Sequence, residues 1–110
     1  MNDWSDALGL LEVRGFTAAF AAADAMSKAA QVQLGTSARI GDGLVTIVTT
    51  GQIAAVQEAL AAGVVAAERV GRVVARHVIG RPSPELRAVF ALAPAGAGGK
   101  QAGRGAIDDR

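Results

Sequence analysis

The stretch that decides the fold is Arg39-Ile-Gly-Asp-Gly43-Leu-Val-Thr-Ile-Val-Thr-Thr50. Its second half, residues 44–50, is rich in β-branched side chains, which is typical of a strand. Asp-Gly between two apolar runs is a strong signal for a β-hairpin, because both residue types tolerate a positive φ. The sequence therefore predicts that a strand over residues 32–40 turns back at Gly41-Asp42-Gly43 into the strand that follows.

A helix and a further strand are predicted on each side of this hairpin. The upstream strand is apolar on both faces until Glu12, which is typical of a buried, central strand. Downstream, Pro82 and Pro84 end the last strand, and Ser83-Pro84-Glu85 is a helix start with proline at its first position. In chain order, the sequence predicts strands over residues 7–13, 32–40, 44–50 and 73–79, with a helix over 15–30, a helix starting at 50 or 51, and a short last helix from 83 onward.

The apolar repeat of each long helix predicts which side packs on the sheet. Residues three and four positions apart share a helix face, so their recurrence marks the buried stripe. The predicted stripes are Phe16, Phe20, Ala23 and Met26 or Ser27 in the first helix, and Ile53, Val56, Leu60, Val64, Ala67 and Val70 or Gly71 in the second.

The element order β-α-β-β-α-β-α predicts a mixed α/β (α+β) fold of the ferredoxin-like split βαβ type. Two βαβ units joined by a hairpin give a four-stranded antiparallel sheet with two helices on one face, plus a short C-terminal helix. The other face of the sheet then has no cover within the chain. We expect a short tail over residues 1–5, one domain over 6–92 and a disordered Gly- and Ala-rich segment over 93–110.

Composition narrows the class of function. The chain has 110 residues, of which 51% are hydrophobic and only 4% aromatic, so part of the apolar surface is expected to be buried between subunits. The net charge of +1 comes from dispersed residues and argues against a nucleic-acid partner and against a membrane surface. No apolar run approaches the roughly 20 residues of a membrane helix. The polar, acidic start is unlike a signal peptide, and the chain has no cysteine, so we expect a cytoplasmic location.

No catalytic centre is recognisable in the sequence. The single histidine, His77, lies in a strand of alternating apolar residues and is read as structural. No serine–histidine–aspartate set or metal-ligand spacing is present, so no catalytic residue, metal or cofactor is predicted. The carboxylates Glu12, Asp24 and Asp42 are too scattered to propose a general acid and base. An RNA-binding sheet is excluded because the central strands lack aromatic residues.

The segment Asp24-Ala-Met-Ser-Lys28-Ala-Ala30 presents one lysine on an alanine-rich helix surface. Lys28 can be a solvated surface lysine and nothing more. It can also serve contact with another protein, since the alanines leave a flat surface and Asp24, four residues earlier, orients the ammonium group. The stem of the lysine would then lie across the neighbouring molecule.

Asp42 likewise allows two interpretations. As the aspartate of an Asp-Gly turn it needs no other role. In a ring of identical subunits, copies of the same loop would meet at the axis and form a ring of carboxylates, and charge rings select the sign of the ions that pass a pore.

Five motifs in order resemble the single-domain hexameric shell proteins of bacterial microcompartments, over about residues 6–92. Each motif alone is weak, and the order makes the resemblance strong. They are Ala7-Leu-Gly-Leu-Leu-Glu-Val-Arg-Gly15, the segment from Asp24 to Ala30, the loop Arg39-Ile-Gly-Asp-Gly43, the pairs Ala62-Gly63 and Ala66-Ala67, and the ending Val78-Ile79 followed by Arg81-Pro82.

The resemblance implies a structural shell tile that is not an enzyme. Six copies would form a flat disc, and neighbouring discs and other shell proteins would meet it edge to edge. Small polar metabolites would pass a central pore to encapsulated enzymes, in a microcompartment within the cytoplasm. By this resemblance the pore is lined by Arg39, Ile40, Gly41, Asp42 and Gly43, and the edge contact involves Asp24, Lys28, Gln31 and Arg81.

Three positions depart from the family pattern: Asp42 where a small neutral residue is common, Gln31 where asparagine is common, and Gly80 where proline is common. Six copies of Asp42 would favour cationic solutes, unless Arg39 beside the loop offsets them. The alternative from another class is an oligomeric, ligand-binding regulatory domain of the same fold that does not tile. An enzyme of unrecognised type is the third candidate.

Overall fold

The computed structural model describes residues 6–39 and 42–89, and its element order is the predicted one. The predictions for Ile40, Gly41, residues 1–5 and residues 93–110 lie outside the described residues. The elements are β1 (Ala7–Arg14), α1 (Phe16–Ala29), β2 (Gln33–Arg39), β3 (Leu44–Gly51), α2 (Ile53–Val70), β4 (Arg72–Ile79) and α3 (Pro84–Val89).

The four strands form one antiparallel sheet in the order β2-β3-β1-β4. Strand β3 lies between β1 and β2, which is the split βαβ arrangement, so the predicted ferredoxin-like fold is confirmed. The pairing of β1 with β4 shifts between Glu12 and Val13, and Val74 is the extra residue of the bulge.

Two rows of paired residues mark the two ends of this sheet. At one end Arg39 of β2, Leu44 of β3, Arg14 of β1 and Arg72 of β4 follow one another across the strands. At the other end the row runs through Gln33, Thr50, Leu8 and Ile79. Arg14 and Leu8 are six residues apart on β1, so the rows lie about 20 Å apart at the rise of a strand.

The core between helices and sheet is packed by small residues. A Cβ atom at Gly63 of α2 would lie 2.7 Å from Cγ of Met26 on α1, so the two helices approach closely at this point. A Cβ atom at Gly9 of β1 would lie 2.6 Å from Cγ1 of Val56. The fully buried large side chains include Leu11, Met26, Ile47 and Leu60. Within the described residues, none of the helices is both long enough and apolar enough to span a membrane.

The predicted stripe of α1 is wrong at its two phenylalanines. Phe16 is 54% exposed and Phe20 is 73% exposed, whereas α1 buries Ala18, Ala19, Ala22 and Met26. Alanines occupy the interior because the close approach of the helices leaves no space for phenyl rings. In α2 the predicted residues Val56, Leu60 and Ala67 are buried, but the prediction is wrong at both ends, where Ile53 is 47% exposed and Val70 is 53% exposed.

The face of the sheet opposite the helices carries a shallow cavity of about 170 Å³. It is lined by Leu10, Glu12, Thr46, Ala75 and His77. Leu10 and Glu12 alternate along β1 with the core residue Leu11, so they point away from the helices. His77, read from the sequence as a structural residue, is exposed on this face.

We predict that Gly9→Ala destabilises the fold, because the added Cβ meets Val56 and Thr49 at less than 3.0 Å. Overpacking of this kind costs about 1–3 kcal/mol of the free energy of unfolding. Urea denaturation at fixed protein concentration measures the change. Gly35→Ala on β2 is the matched control, since its Cβ would meet nothing within 4 Å. Equal stability of the two variants would contradict the packing described here.

Candidate functional site

The turn between β2 and β3 is closed by the side chain of Asp42. Its Oδ1 accepts a hydrogen bond of 3.2 Å from the backbone N–H of Leu44, and Gly43 adopts a φ of +73°. An aspartate that binds the backbone two residues further on is a common way to form a turn. The structure therefore supports the interpretation of Asp42 as a turn-forming residue. Asp42 is otherwise exposed.

The same turn is fastened to the junction of β1 and α1. The guanidinium Nη1 of Arg14 donates a 2.7 Å hydrogen bond to the carbonyl oxygen of Asp42. The backbone N–H of Gly15 donates a 2.7 Å hydrogen bond to the carbonyl oxygen of Gly43. Gly15 has a φ of +105°, which an L side chain rarely adopts. Two bonds thus join segments that lie 28 residues apart in sequence.

Sequence reasoning missed Arg14 and Gly15 as site residues. Arg14-Gly15 is visible in the sequence as the end of a strand followed by a glycine before a helix. The sequence does not show that this junction lies beside the turn. That becomes visible only in the strand register, in which Arg14 pairs with Leu44.

Lys28 lies at the other end of α1. Its Nζ donates a 3.1 Å hydrogen bond to Oδ2 of Asp24, and the two side chains are 74% and 64% exposed. The predicted orientation of the ammonium group by Asp24 is therefore observed. An ion pair this exposed contributes little to stability, about 0.3–0.5 kcal/mol at i,i+4 spacing.

Helix α1 separates the turn from Lys28. It has 14 residues and begins at Phe16, directly after Gly15. At 1.5 Å per residue it is about 21 Å long, which matches the length of β1 beneath it. Its exposed side is a stripe with a spacing of four, formed by Phe16, Phe20, Asp24 and Lys28. The stripe is apolar beside the turn and charged at the far end.

The predicted site residues divide between the two ends of the domain. Arg39, Asp42 and Gly43 lie at the end that carries the turn, with Arg39 paired in register with Leu44. Gln31 precedes Gln33, and Arg81 follows Ile79, so both lie beyond the opposite end of the sheet. That is also the end where α1 finishes with Lys28. The structure thus places the predicted edge residues at one end, and Arg39, Asp42 and Gly43 of the predicted pore lining at the other.

The chemical groups near the sheet are few in the described residues. In that part of the chain, no group of three histidine, cysteine, aspartate or glutamate residues is placed to hold a metal ion. The cavity on the sheet face opposite α1 and α2 is lined by one carboxylate and one imidazole, those of Glu12 and His77. The arrangement provides two ends of different chemistry joined by a rigid helix, which suits assembly with other copies.

Comparison with known proteins decides the family. Residues 7–82 match the BMC domain. The chain is 45% identical over 93 residues to the carboxysome shell protein CsoS1A of Hydrogenovibrio crunogenus, covering 84% of this chain and 97% of that protein. It is 48% identical over 85 residues to the bacterial microcompartment shell protein PduA of Citrobacter freundii, covering 77% of this chain and 91% of that one. The chain belongs to the BMC-domain family of bacterial microcompartment shell proteins.

Two further relatives agree with this assignment. The bacterial microcompartment shell protein EutM of Escherichia coli is 46% identical over 87 residues, covering 79% of this chain and 90% of that protein. A crystal structure of a microcompartment protein from Desulfitobacterium hafniense matches with a TM-score of 0.69 and 33% identity over 81% of this chain. This chain spans 49% of the length of that crystallised chain. The BMC domain includes both ends of α1, with the turn and with Lys28.

We predict that Lys28→Ala changes the free energy of unfolding by less than about 0.5 kcal/mol, because the Asp24 pair is exposed. Arg14→Ala should cost about 1 kcal/mol, since its hydrogen bond fastens the turn to a distant part of the chain. Urea denaturation of both variants at one protein concentration measures the difference. A larger loss in Lys28→Ala than in Arg14→Ala would contradict these assigned roles.

Proposed function

We propose that this chain is a structural tile of a bacterial microcompartment shell. Six copies form a flat ring, the rings pack edge to edge, and small polar metabolites pass through a central opening. The main observation behind the proposal is that α1 separates two different surfaces. The turn held by Arg14 and Gly15 lies at one end of the helix, and Lys28 lies at the other. In a ring with radial helices, the first end meets its copies at the axis and the second faces neighbouring rings.

The turn suits the axis of such a ring. Gly43 presents no side chain, so several backbones can converge there without a clash. The bonds from Arg14 and Gly15 hold the turn against the body of the domain. The proposed lining of the opening is Arg39, Ile40, Gly41, Asp42 and Gly43.

The end with Lys28 suits a contact between rings. The neighbouring Ala29 and Ala30 leave a low surface across which another copy can lie. Lys28 exchanges its weak, exposed contact with Asp24 for a charge-assisted hydrogen bond to a backbone carbonyl of the neighbour, which is the stronger interaction. Gln31 and Arg81 lie beyond the same sheet end and complete the proposed edge.

The exposed phenylalanines support contact within the ring. Monomeric proteins rarely expose large apolar side chains side by side, yet Phe16 and Phe20 share one face of α1. A closed ring needs two different surfaces on each copy. The second surface is supplied by the face of the sheet opposite α1 and α2, where Leu10 and Ala75 line the cavity.

The proposal assigns the chain no catalytic reaction and no cofactor. Its partners are further copies of itself, other shell proteins and the enzymes enclosed by the shell, in the cytoplasm. The relatives support this, since CsoS1A, PduA and EutM are named as shell proteins of carboxysomes or other microcompartments.

The second candidate is an oligomeric regulatory domain that binds a ligand and does not tile. The cavity beside Glu12 and His77 is the observation that favours it. At about 170 Å³ this cavity is smaller than the roughly 300–1,000 Å³ of typical ligand pockets. We therefore prefer the tile.

We expect negative-stain electron microscopy of the purified protein to show sheets or tubes built from rings, and Lys28→Ala to show single rings. The variant loses the contact between rings but keeps the fold. Gln57→Ala, an exposed position on α2, is the matched control and should assemble as the unchanged protein does. Discrete particles that never assemble, with no effect of Lys28→Ala, would favour the regulatory domain.

We expect Phe20→Ser to shift the protein from rings to smaller species, because it removes the more exposed phenyl ring of α1. Sedimentation velocity in the Lys28→Ala background measures this without interference from sheets. Val65→Ser removes an exposed apolar side chain of α2 and is the control. Circular dichroism verifies that both variants fold. Intact rings in Phe20→Ser would show that α1 does not mediate the contact within the ring.

A further inference from the structure

We propose that residues 106–110 of this chain, Ala-Ile-Asp-Asp-Arg, pair with the outer edge of β4 in the same copy and extend the sheet by a fifth strand. These five residues, here called the tail strand, lie outside the described residues. An edge that the chain covers itself is closed to the strands of other copies. The inference therefore concerns a contact that the tile avoids, and it does not depend on the proposed ring or its opening.

Strand β4 is an open edge of the described sheet. Within residues 6–39 and 42–89 it pairs with β1 on one side, and no strand lies on its other side. None of its 8 residues is buried, whereas most of β1 is buried. Since successive backbone groups of a strand point to alternate sides, about half of the N–H and C=O groups of β4 face outward, where another strand can bind them.

A bulge leaves the second half of β4 as the part that a further strand can extend. Val74 is the extra residue, and residues 75–79 then pair with β1 without interruption. Bulges and charged side chains are common ways to keep a sheet edge from pairing with other chains. Residues 75–79 have no bulge, so this stretch of the edge is open to a partner strand.

Two adjacent residues of this stretch carry polar groups to opposite faces of the sheet. Arg76 pairs with the core residue Leu11 and therefore points to the side of the helices, where it is exposed. His77 lines the cavity on the other face and is also exposed. A strand that fits this edge therefore offers hydrogen-bond acceptors at two adjacent positions.

The tail strand has this pattern. Asp108 and Asp109 are adjacent acceptors, and in a strand they point to opposite faces of the sheet. Ile107 is β-branched, which favours a strand. Opposite charges and apolar β-branched residues directly across two strands stabilise their pairing. The antiparallel register that matches these groups pairs Ala106 with Ile79, Ile107 with Val78, Asp108 with His77 and Asp109 with Arg76.

Among the described residues, neither Arg76 nor His77 has a salt-bridge partner. The salt bridge found there joins Lys28 to Asp24. Glu12 lines the same cavity as His77 but forms no salt bridge with it. In the tail strand, Asp109 accepts hydrogen bonds from the guanidinium group across the edge, and Asp108 accepts one from the imidazole.

The linker between α3 and the tail strand is long enough for this return. Only four residues separate Ile79 from Pro84, and α3 has 6 residues, about 9 Å at the rise of a helix. Residues 90–105 include five glycines, and a linker of this length and composition has an r.m.s. span of about 20–24 Å. Such a tether gives a local concentration in the millimolar range, so weak pairing is sufficient. The tail strand enters at the Ile79 end of β4 and runs antiparallel to it.

The test is amide hydrogen exchange of β4, followed by mass spectrometry on the whole chain. The Lys28→Ala background keeps neighbouring rings from assembling into sheets. We expect Asp108→Asn/Asp109→Asn to raise the exchange rate of peptides from residues 74–79 by about threefold or more. The matched control is Lys100→Gln/Arg104→Gln, which removes two charges from the linker and should leave that rate unchanged. Equal rates in the two variants would overturn the tail strand.

A charge swap tests the pairing of Asp109 with Arg76. Arg76→Asp alone should raise the exchange rate as the asparagine variant does, because two carboxylates then face each other across the strands. Adding Asp109→Arg should restore slow exchange. Circular dichroism verifies that both variants fold. Fast exchange in the double variant would contradict the assigned register.

A disulfide distinguishes docking in the same copy from docking in another copy. The chain has no cysteine, so Ile79→Cys/Ala106→Cys introduces one pair at directly opposite positions, within the distance that a disulfide needs. We expect rapid oxidation to a cross-link within one chain, seen as a monomer on a non-reducing gel. Ile79→Cys/Ala102→Cys is the control, and it should oxidise more slowly although its cysteines are closer in sequence. Cross-linked dimers, or equal rates in the two variants, would overturn docking within the same copy.

Discussion

The fastening of the β2–β3 turn to the β1–α1 junction is the constraint on which the rest of the structure depends. The two bonds from Arg14 and Gly15 place the turn at the start of α1. Because α1 then runs the full length of the sheet, Lys28 must lie at the opposite end. The separation of the two proposed contact surfaces follows from this local geometry.

Packing by small residues determines what the surface of the domain presents. Alanines of α1 and Gly63 of α2 let the helices approach closely. The phenyl rings of Phe16 and Phe20 have no place in that interface and lie on the outside, where they are available to another copy. On the sheet face opposite α1 and α2, Glu12 and His77 are at least partly exposed, whereas Leu8 and Thr50 on the same face are buried. Monomeric proteins rarely expose large apolar side chains side by side, so the exposed phenyl rings of α1 favour contact with another copy.

Much of this fold could be predicted from the sequence because its signals are local. The Asp-Gly turn, the β-branched run of β3 and the prolines after β4 fix the element order without tertiary information. The burial of α1 could not be predicted in this way, because periodicity treats a phenylalanine as more suited to the core than an alanine. The distance between two helices decides that preference, and it depends on residues from both.

Only part of the candidate site could be predicted from the sequence. The orientation of Lys28 by Asp24 follows from spacing within one helix, and it is observed. The role of Arg14 depends on the register between strands distant in sequence, which no local pattern encodes.

The most direct test of the account measures distances between copies in one ring. The chain has no cysteine, so a single spin label can be attached at Asp42→Cys or at Lys28→Cys. Double electron–electron resonance then compares the two positions, the first in the Lys28→Ala background to keep rings separate. The account predicts much shorter distances between labels at position 42 than between labels at position 28. Shorter distances at position 28, or no dipolar coupling at position 42, would contradict a ring with the turn at its axis.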